Sequence, residues 1–412
     1  MQNQNKQLFT IFFTVFLDLL GVGLVIPILG HLFLDTNGIL PSYFSLRQRT
    51  ILLGLLISSF PIAQFFGSPI LGALSDRYGR KKILLISLFG TFLGYLFFGF
   101  ALITKNVLLL FIGRIIDGFT GGNISIALSA ISDLSNEQEK PKNFGLIGMA
   151  FGLGFILGPF IGGKLSDATF FYLFNNTTPI FFAAFLSAIN IILVIFRFNE
   201  TLKYKLHKEI NVFTGFKNLK KAFAMKNLRL MFMIIFLFTI GFNFYTQFLQ
   251  VYLIEKFNFS QSQIGDLFAY MGLCVALTQG ILTRQLSKKF LPEQILRFSL
   301  ILLSLSLVAM SFPDKAIYLY YLIPFVAISN GLTQPNATAI ISNLADKESQ
   351  GEILGISQSV QSFAMSLPAL ISGFIVSIRI DFPIIISSFL IFVSWVAFVL
   401  FFKITKEKFH EI

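Results

Sequence analysis

One cysteine and three histidines are all that 412 residues offer for thiol or imidazole chemistry. A lone Cys274 excludes an internal disulfide, and neither it nor His31, His207 or His410 falls at zinc-ligand spacing. All four are read as structural or incidental. Charge is scarce too: 13% of residues are Asp, Glu, Lys or Arg, against about 25% in an ordinary soluble domain. The sequence contains no G-x-x-x-x-G-K-[ST] loop, so nothing supports ATP as a direct energy source. It also has no nucleophile–base pair and no sizeable polar domain to house one. An enzyme is the least expected class, and no metal or organic cofactor is expected.

What fills the chain instead is apolar. Hydrophobic residues make up 55% and the mean hydropathy is +0.77, so most of the chain is expected in lipid. The 53 Phe residues suit a lipid-facing surface and receive no functional weight. A net charge of +12 raises nucleic acid as a partner, but cytoplasmic loops of membrane proteins also collect Lys and Arg. Nucleic acid is therefore not expected; a lipid bilayer is.

A spanning helix needs about 20 mostly apolar residues. Breaking the chain at charged and turn-rich points gives twelve such segments: 8–34, 50–74, 83–103, 107–133, 144–168, 179–198, 230–255, 262–286, 294–312, 316–344, 352–377 and 382–402. The first is too long for a signal-peptide core and lacks an A-x-A cleavage site, so it stays as a span. With the amino terminus inside, 24 of the 32 Lys and Arg fall in cytoplasmic segments, six outside, and Arg114 and Lys164 within helices. That bias orients the chain with both termini cytoplasmic.

The longest polar segment, 199–229, carries Lys203, Lys205, Lys208, Lys217, Lys220, Lys221 and Lys226. It reads as a cytoplasmic linker between an amino-terminal bundle, 1–198, and a carboxyl-terminal bundle, 230–412. Phe213, Phe216, Leu219 and Phe223 recur at helical spacing around Lys220 and Lys221. Either an amphipathic helix on the anionic leaflet or a solvated basic connector fits. The halves resemble each other: Ser132-Asp133-Leu134 with Gly145 recurs as Ser342-Asn343-Leu344 with Gly355, an offset of 210 throughout.

Between the second and third spans lies Gly72-Ala73-Leu74-Ser75-Asp76-Arg77-Tyr78-Gly79-Arg80-Lys81-Lys82. Gly72 and Gly79 permit close packing or unusual backbone angles. Asp76, Arg77, Arg80, Lys81 and Lys82 are then held where two helix ends meet, able to form interhelical ion pairs. Three further runs stand out: Gly113-Arg114-Ile115-Ile116-Asp117-Gly118, the stretch GMAFGLGFILGPFIGG over 148–163, and Leu17 to Pro27, which contains Asp18.

The charged turn resembles the signature loop of the major facilitator superfamily, and the other runs extend the resemblance along the chain. Arg114 sits in what resembles the family's embedded arginine motif. Gly154, Gly158, Pro159 and Gly162 resemble the Gly-Pro motif of its antiporters, and the first span is similar to the tetracycline exporters and related drug:proton antiporters. The resemblance implies an all-α polytopic fold: twelve transmembrane helices in two six-helix bundles rocking about a cavity lined by the first, fourth, seventh and tenth. It also implies that Asp76 and Arg77, in the Gly72, Gly79 and Arg80 turn, belong to a cytoplasmic latch. Asp117 departs from the family pattern, where Gln or a small residue is commoner, and leaves open which of Asp18 and Asp117 carries the proton.

Charged groups inside lipid are costly and usually functional. Asp18 lies about ten residues into its span, or about 15 Å, and Asp117 reaches a similar depth from the other side, with Arg114 one turn outward. Arg114, Asp117, Gly121, Ser125 and Ser129 follow helical steps and form one expected polar stripe. Proton coupling is the expected role; a static ion pair is the alternative. Asp266 is expected to be an entrance or capping residue. The fifth-span glycines, including Gly152 and Gly163, are expected to permit close packing.

In the carboxyl half the candidate substrate contacts are Asn243, Tyr245, Gln247 and Gln250 on the seventh span, Asn330, Gln334 and Asn336 on the tenth, and Gln358 and Gln361 on the eleventh. The counterpart of the charged turn, Arg284 to Arg297, is degenerate, with Leu291 where the family keeps glycine. The expected protein is a proton-driven antiporter in the bacterial cytoplasmic (inner) membrane, exporting an amphipathic organic compound as a monomer. A proton symporter importing a small metabolite, or a non-transporting receptor of the same fold, remains the alternative.

Overall fold

The computed structural model describes residues 2–36, 38–135, 140–202, 211–344 and 350–402. His207, His410 and the linker lysines Lys203, Lys205 and Lys208 lie outside these ranges. Among the described residues all regular structure is helical. The helices are α1 (Gln2–Leu34), α2 (Leu46–Tyr78), α3 (Arg80–Thr104), α4 (Val107–Thr120), α5 (Asn123–Leu134), α6 (Lys140–Leu165), α7 (Thr178–Arg197) and α8 (Thr214–Ala224). They continue with α9 (Arg229–Phe257), α10 (Gln261–Leu277), a π turn (Thr278–Leu282), α11 (Thr283–Leu286), α12 (Pro292–Ala309), α13 (Ile317–Leu344), α14 (Gln350–Val376) and α15 (Phe382–Phe401).

Eleven of the described helical stretches are long and apolar enough to cross a membrane. They coincide with eleven of the twelve expected spans. The twelfth, α13, has 28 residues but a more polar sequence, because Asn330, Gln334, Asn336 and Asn343 lie along it. The expected fourth span is two helices, α4 and α5, parted at Gly121 and Gly122. Within the linker, α8 forms, with Lys217, Lys220 and Lys221 exposed and Ala222 buried.

The helices pack as two compact units. The first comprises Met1–Phe216, Gln247–Leu273 and Ser366–Ile380; the second comprises Lys217–Thr246, Cys274–Met365 and Asp381–Ile412. In the first unit α1 lies along α6 at backbone contact. A Cβ on Gly158 would sit 2.7 Å from Gly23 Cα, one on Gly154 2.7 Å from Leu19 Cβ, and one on Gly162 would overlap Leu24. Gly163 likewise meets the Gln261 carbonyl at 2.7 Å, whereas Gly148 and Gly152 face open space. Gly152 therefore does not take the packing role expected of it. Small residues let helices approach when no hydrophobic drive operates between them in lipid.

The first unit is also joined through polar contacts that span long sequence separations. Gly30 N donates to Gln250 Oε1 at 3.0 Å, and Thr50 Oγ1 to the Gly373 carbonyl at 2.8 Å. Lys164 Nζ lies 3.0 Å from Asp266 and donates to Ser262 Oγ at 2.8 Å. Asp266 is thus half of an ion pair rather than a helix cap. Arg49 is buried and donates to four carbonyls, those of Phe33, Asp35, Pro41 and Phe44, which ties down the turn between α1 and α2. After α6 the chain turns on Asp167. The Thr169 hydroxyl and backbone N–H donate to its carboxylate, and with Lys164 nearby they hold it below the usual carboxylate range.

In the second unit α12 and α15 run antiparallel, and Ser304 and Ser388 hydrogen-bond each other's hydroxyl and carbonyl at 2.8–3.1 Å. Thr333 Oγ1 on α13 donates to Ser299 Oγ at 2.8 Å.

Candidate functional site

The charged turn is built around one residue. Gly79 has φ 107°, a conformation that side chains with a Cβ rarely adopt, and it ends α2 and starts α3 in one step. Arg80, 5% exposed, then points back beneath α2. Its guanidinium pairs with Asp76, lies 3.1 Å from Asp133 of α5, and donates to Ser75 Oγ at 2.7 Å. Glu200, just beyond α7, accepts from Arg80 N at 2.9 Å and Lys81 N at 3.2 Å. A carboxylate there meets both the open N–H groups and the positive end of α3. Arg77 is different: exposed, with its guanidinium 5.2 Å over the Tyr78 ring. Gly72 lies against Ser125 of α5, at 3.5 Å from where its Cβ would be.

Deeper in the first unit, Asp18 occupies the midpoint of α1, sixteen residues or about 24 Å from either end. Its Oδ2 accepts from Asn123 Nδ2 at 2.9 Å. Asn123 is the first residue of α5, so the break in the fourth span aims it. Thr120 and Gly121 lose helical partners for their carbonyls at this break. Ser87 of α3 donates to the Thr120 carbonyl, and Gln64 of α2 to that of Gly121 at 2.9 Å. Broken helices survive at membrane depth only when neighbours satisfy the freed backbone in this way.

Asp117 lies in the last turn of α4 just before the break, buried, and Arg114 Nη1 lies 3.5 Å from its Oδ2. The Arg114 guanidinium also sits 4.7 Å from the centre of the Phe60 ring. Removing one member of such a buried pair costs about 3–5 kcal/mol, because the other charge is left uncompensated. Tyr95 of α3 also enters here, 2% exposed, with its Oη 2.6 Å from where a Cβ on Gly21 would be, one turn along α1 from Asp18. Tyr95 Oη, Arg114 Nε and Asn123 Oδ1 are buried without a hydrogen-bond partner among the described residues. The site therefore holds two carboxylates, one guanidinium and three unfilled hydrogen-bonding positions. Along the expected stripe Arg114 meets Phe60, Gly121 meets Gln64, and Ser125, past the break, donates to the Gly122 carbonyl at 2.7 Å and the Ser68 carbonyl at 3.2 Å, so these three residues share α2 as their neighbour.

Several of the candidate amides already have partners, some within their own helix and some on another. Asn243 donates to the Thr239 carbonyl at 2.8 Å, Asn336 to that of Leu332 at 2.7 Å, and Gln334 to Gln361 Oε1 at 2.9 Å. Tyr245 is wholly buried, Gln247 and Asn330 are half-buried, and Gln358 is exposed. Gln250 is committed to Gly30.

A profile described as Major Facilitator Superfamily matches residues 11–369. The chain belongs to that superfamily. Its members are transporters rather than enzymes, and this facilitator is a multi-pass membrane protein. It is 28% identical to the class C tetracycline resistance protein of Escherichia coli over 355 residues, 85% of each chain. It is 28% identical to the quinolone resistance protein NorA of Staphylococcus aureus over 386 residues, 92% of each. The fold matches the human organic anion transporter MFSD10, with a TM-score of 0.75 at 21% identity over 96% of this chain and 99% of that one. It also matches a D-xylose–proton symporter, with a TM-score of 0.77 at 15% identity over 96% and 97%.

Asn123, Tyr95, Gln64 and Glu200 do not stand out in this facilitator's sequence, and Asp133 does so only as part of the internal repeat. Asn123 carried a usable signal, a polar residue following Gly121-Gly122 in an otherwise apolar span. Tyr95 and Gln64 carried none, since their roles depend on which helices adjoin.

Proposed function

We propose that the protein is a proton-coupled antiporter that exports an amphipathic organic compound, with the proton gradient as its energy source and no cofactor. The observation that carries this reading is the Asp18–Asn123 contact beside the Arg114–Asp117 pair. A carboxylate at mid-span costs several kcal/mol, so where one is kept it is usually functional. Here Arg114 pairs with Asp117 while Asp18 is held by the neutral Asn123, so the cluster has one carboxylate beyond what Arg114 neutralises.

Asp18 and Asp117 exchange protons with the two sides in turn, and Arg114 favours the ionised form of its neighbour. The turn built on Gly72, Asp76, Arg77, Gly79 and Arg80 acts as the conformational latch, with Arg80 as its hub. Gly154, Gly158, Pro159 and Gly162 keep α1 and α6 in contact, which steadies Asp18. Asn243, Tyr245, Gln247, Asn330, Gln334 and Gln358 supply substrate contacts. The chain works as a monomer of two six-helix halves, 1–198 and 230–412, joined by the 199–229 linker, with both termini on the cytoplasmic side of a bacterial inner membrane. The drug-resistance relatives support export of lipophilic compounds.

Import by symport is the second reading, favoured by the D-xylose–proton symporter among the structural neighbours. Proteoliposomes with an imposed pH gradient, offered lipophilic cations, tetracyclines and organic anions, separate the two. Export predicts accumulation of at least one compound against the gradient, lost in Asp18→Asn. If no compound moves in the wild type, the export reading falls; if Asp18→Asn and Asp117→Asn both transport normally, the coupling assignment falls.

A further inference from the structure

Away from these helices, a groove of about 320 Å3 lies between α12 and α15 in the second unit, lined by Gln294, Arg297, Phe298, Ile301 and Trp395. The antiparallel register explains its composition. Ser304 and Ser388 face each other, and seven residues back along α12 and seven forward along α15 bring Arg297 level with Trp395. Arg297 is five residues from the start of α12, about 7.5 Å, and Trp395 six from the end of α15, about 9 Å. Both helices are long and apolar enough to cross a membrane. The groove therefore sits where hydrocarbon gives way to headgroups, the level at which tryptophan is enriched.

Its polar atoms are uncommitted. Arg297 is exposed and has no ion pair or hydrogen bond among the described residues, and Glu293, one turn earlier, does not pair with it. Trp395 Nε1 is buried and also lacks an acceptor. Gln294 spends its Oε1 on the Leu291 N–H at 3.0 Å, which leaves its amide N–H groups for an outside acceptor. One turn deeper the lining is apolar, with Phe298 63% exposed beside Ile301. Lys288 and Lys289, exposed in the turn before α12, add positive charge at this end.

We propose that this groove binds an anionic glycerophospholipid. Arg297 and the Gln294 amide take the phosphate, Trp395 Nε1 donates to a headgroup or ester oxygen, and an acyl chain lies over Phe298 and Ile301. A guanidinium presents a planar fork of donors that suits phosphate oxygens. An indole offers one apolar body and one N–H, matching a ligand that is polar at one end only.

The chain has a single tryptophan, so its intrinsic tryptophan fluorescence reports on this groove alone. The full-length protein is placed in phosphatidylcholine vesicles containing increasing fractions of lipid with brominated acyl chains, carrying either a phosphatidylglycerol or a phosphatidylcholine headgroup. Half-quenching is expected at a threefold or greater lower mole fraction of the glycerol lipid, with the preference weakened by 0.5 M salt and abolished in Arg297→Gln. Equal quenching by both headgroups in the wild type, or a preference that survives Arg297→Gln, overturns the proposal. The wild-type comparison stands even where the variant does not fold. Quenching by neither lipid overturns it in favour of a second copy covering the groove. Competition by millimolar glycerol phosphate in solution overturns the lipid as the source of the phosphate.

Discussion

Asn123 Nδ2 donates to Asp18 Oδ2 across 2.9 Å, joining the first residue after a helix break to the midpoint of another helix. A hydrogen bond to a charged group contributes about 1.5–3 kcal/mol, and about 1.4 kcal/mol is a tenfold change. Asn123→Ala is expected to lower pH-driven transport at least tenfold, while Gln64→Ala, which frees only the Gly121 carbonyl, lowers it less. Initial rates in proteoliposomes check the order; wild-type rates in Asn123→Ala would show that the contact only positions helices.

Gly152 and Gly158 lie on one helix in opposite surroundings. An added methyl at Gly152 meets nothing within 4 Å, whereas at Gly158 it meets the Gly23 backbone at 2.7 Å. Overpacking costs about 1–3 kcal/mol, and Ala gains up to about 1 kcal/mol over Gly in a helix. Gly152→Ala is expected to hold or raise the melting temperature of the purified protein and Gly158→Ala to lower it.

Arg80 serves Asp76, Asp133 and Ser75 at once, and only a fork of donors reaches all three. Arg80→Lys is therefore expected to destabilise the protein nearly as much as Arg80→Ala, by roughly the 3–5 kcal/mol of a broken buried pair. The exposed Arg77 tolerates Lys with little change. Thermal unfolding of the four proteins, wild type included, gives the comparison.

Lys164 and Asp266 are partly exposed, so their pair contributes at most about 1 kcal/mol. The expected signature is reciprocity: Lys164→Glu and Asp266→Lys each lower the melting temperature slightly, and the double variant returns most of the loss. An additive double variant would mean that the pair is not coupled.

Thr169 holds the Asp167 carboxylate through its hydroxyl and its N–H. Because the folded pKa is lowered, the stabilisation is present above the ordinary carboxylate pKa and fades as pH falls toward the depressed folded value. Thr169→Val removes the hydroxyl and is expected to shrink this acid dependence, measured as the change in melting temperature between about pH 5 and pH 3.

Apolar runs of spanning length made eleven of the membrane helices legible from the sequence, since a bilayer demands about 20 apolar residues whatever the neighbours are. The charged turn was legible for a similar reason: Gly79 is required by a local backbone angle, and local angles are written in local residues. That Asp18 and Asp117 lie within apolar helices, far from any polar loop, was also legible from counting along the chain. Their partners were not. Asp18 bonds Asn123 across 105 positions, Arg80 reaches Asp133 and Glu200 rather than leaving the turn to Arg77, and Gly158 packs where Gly152 does not. Each of those outcomes depends on which helix faces adjoin, and on the break at Gly121 and Gly122 that turns Asn123 toward α1. Composition and periodicity place a residue along its own helix; only the packed helices decide what it meets.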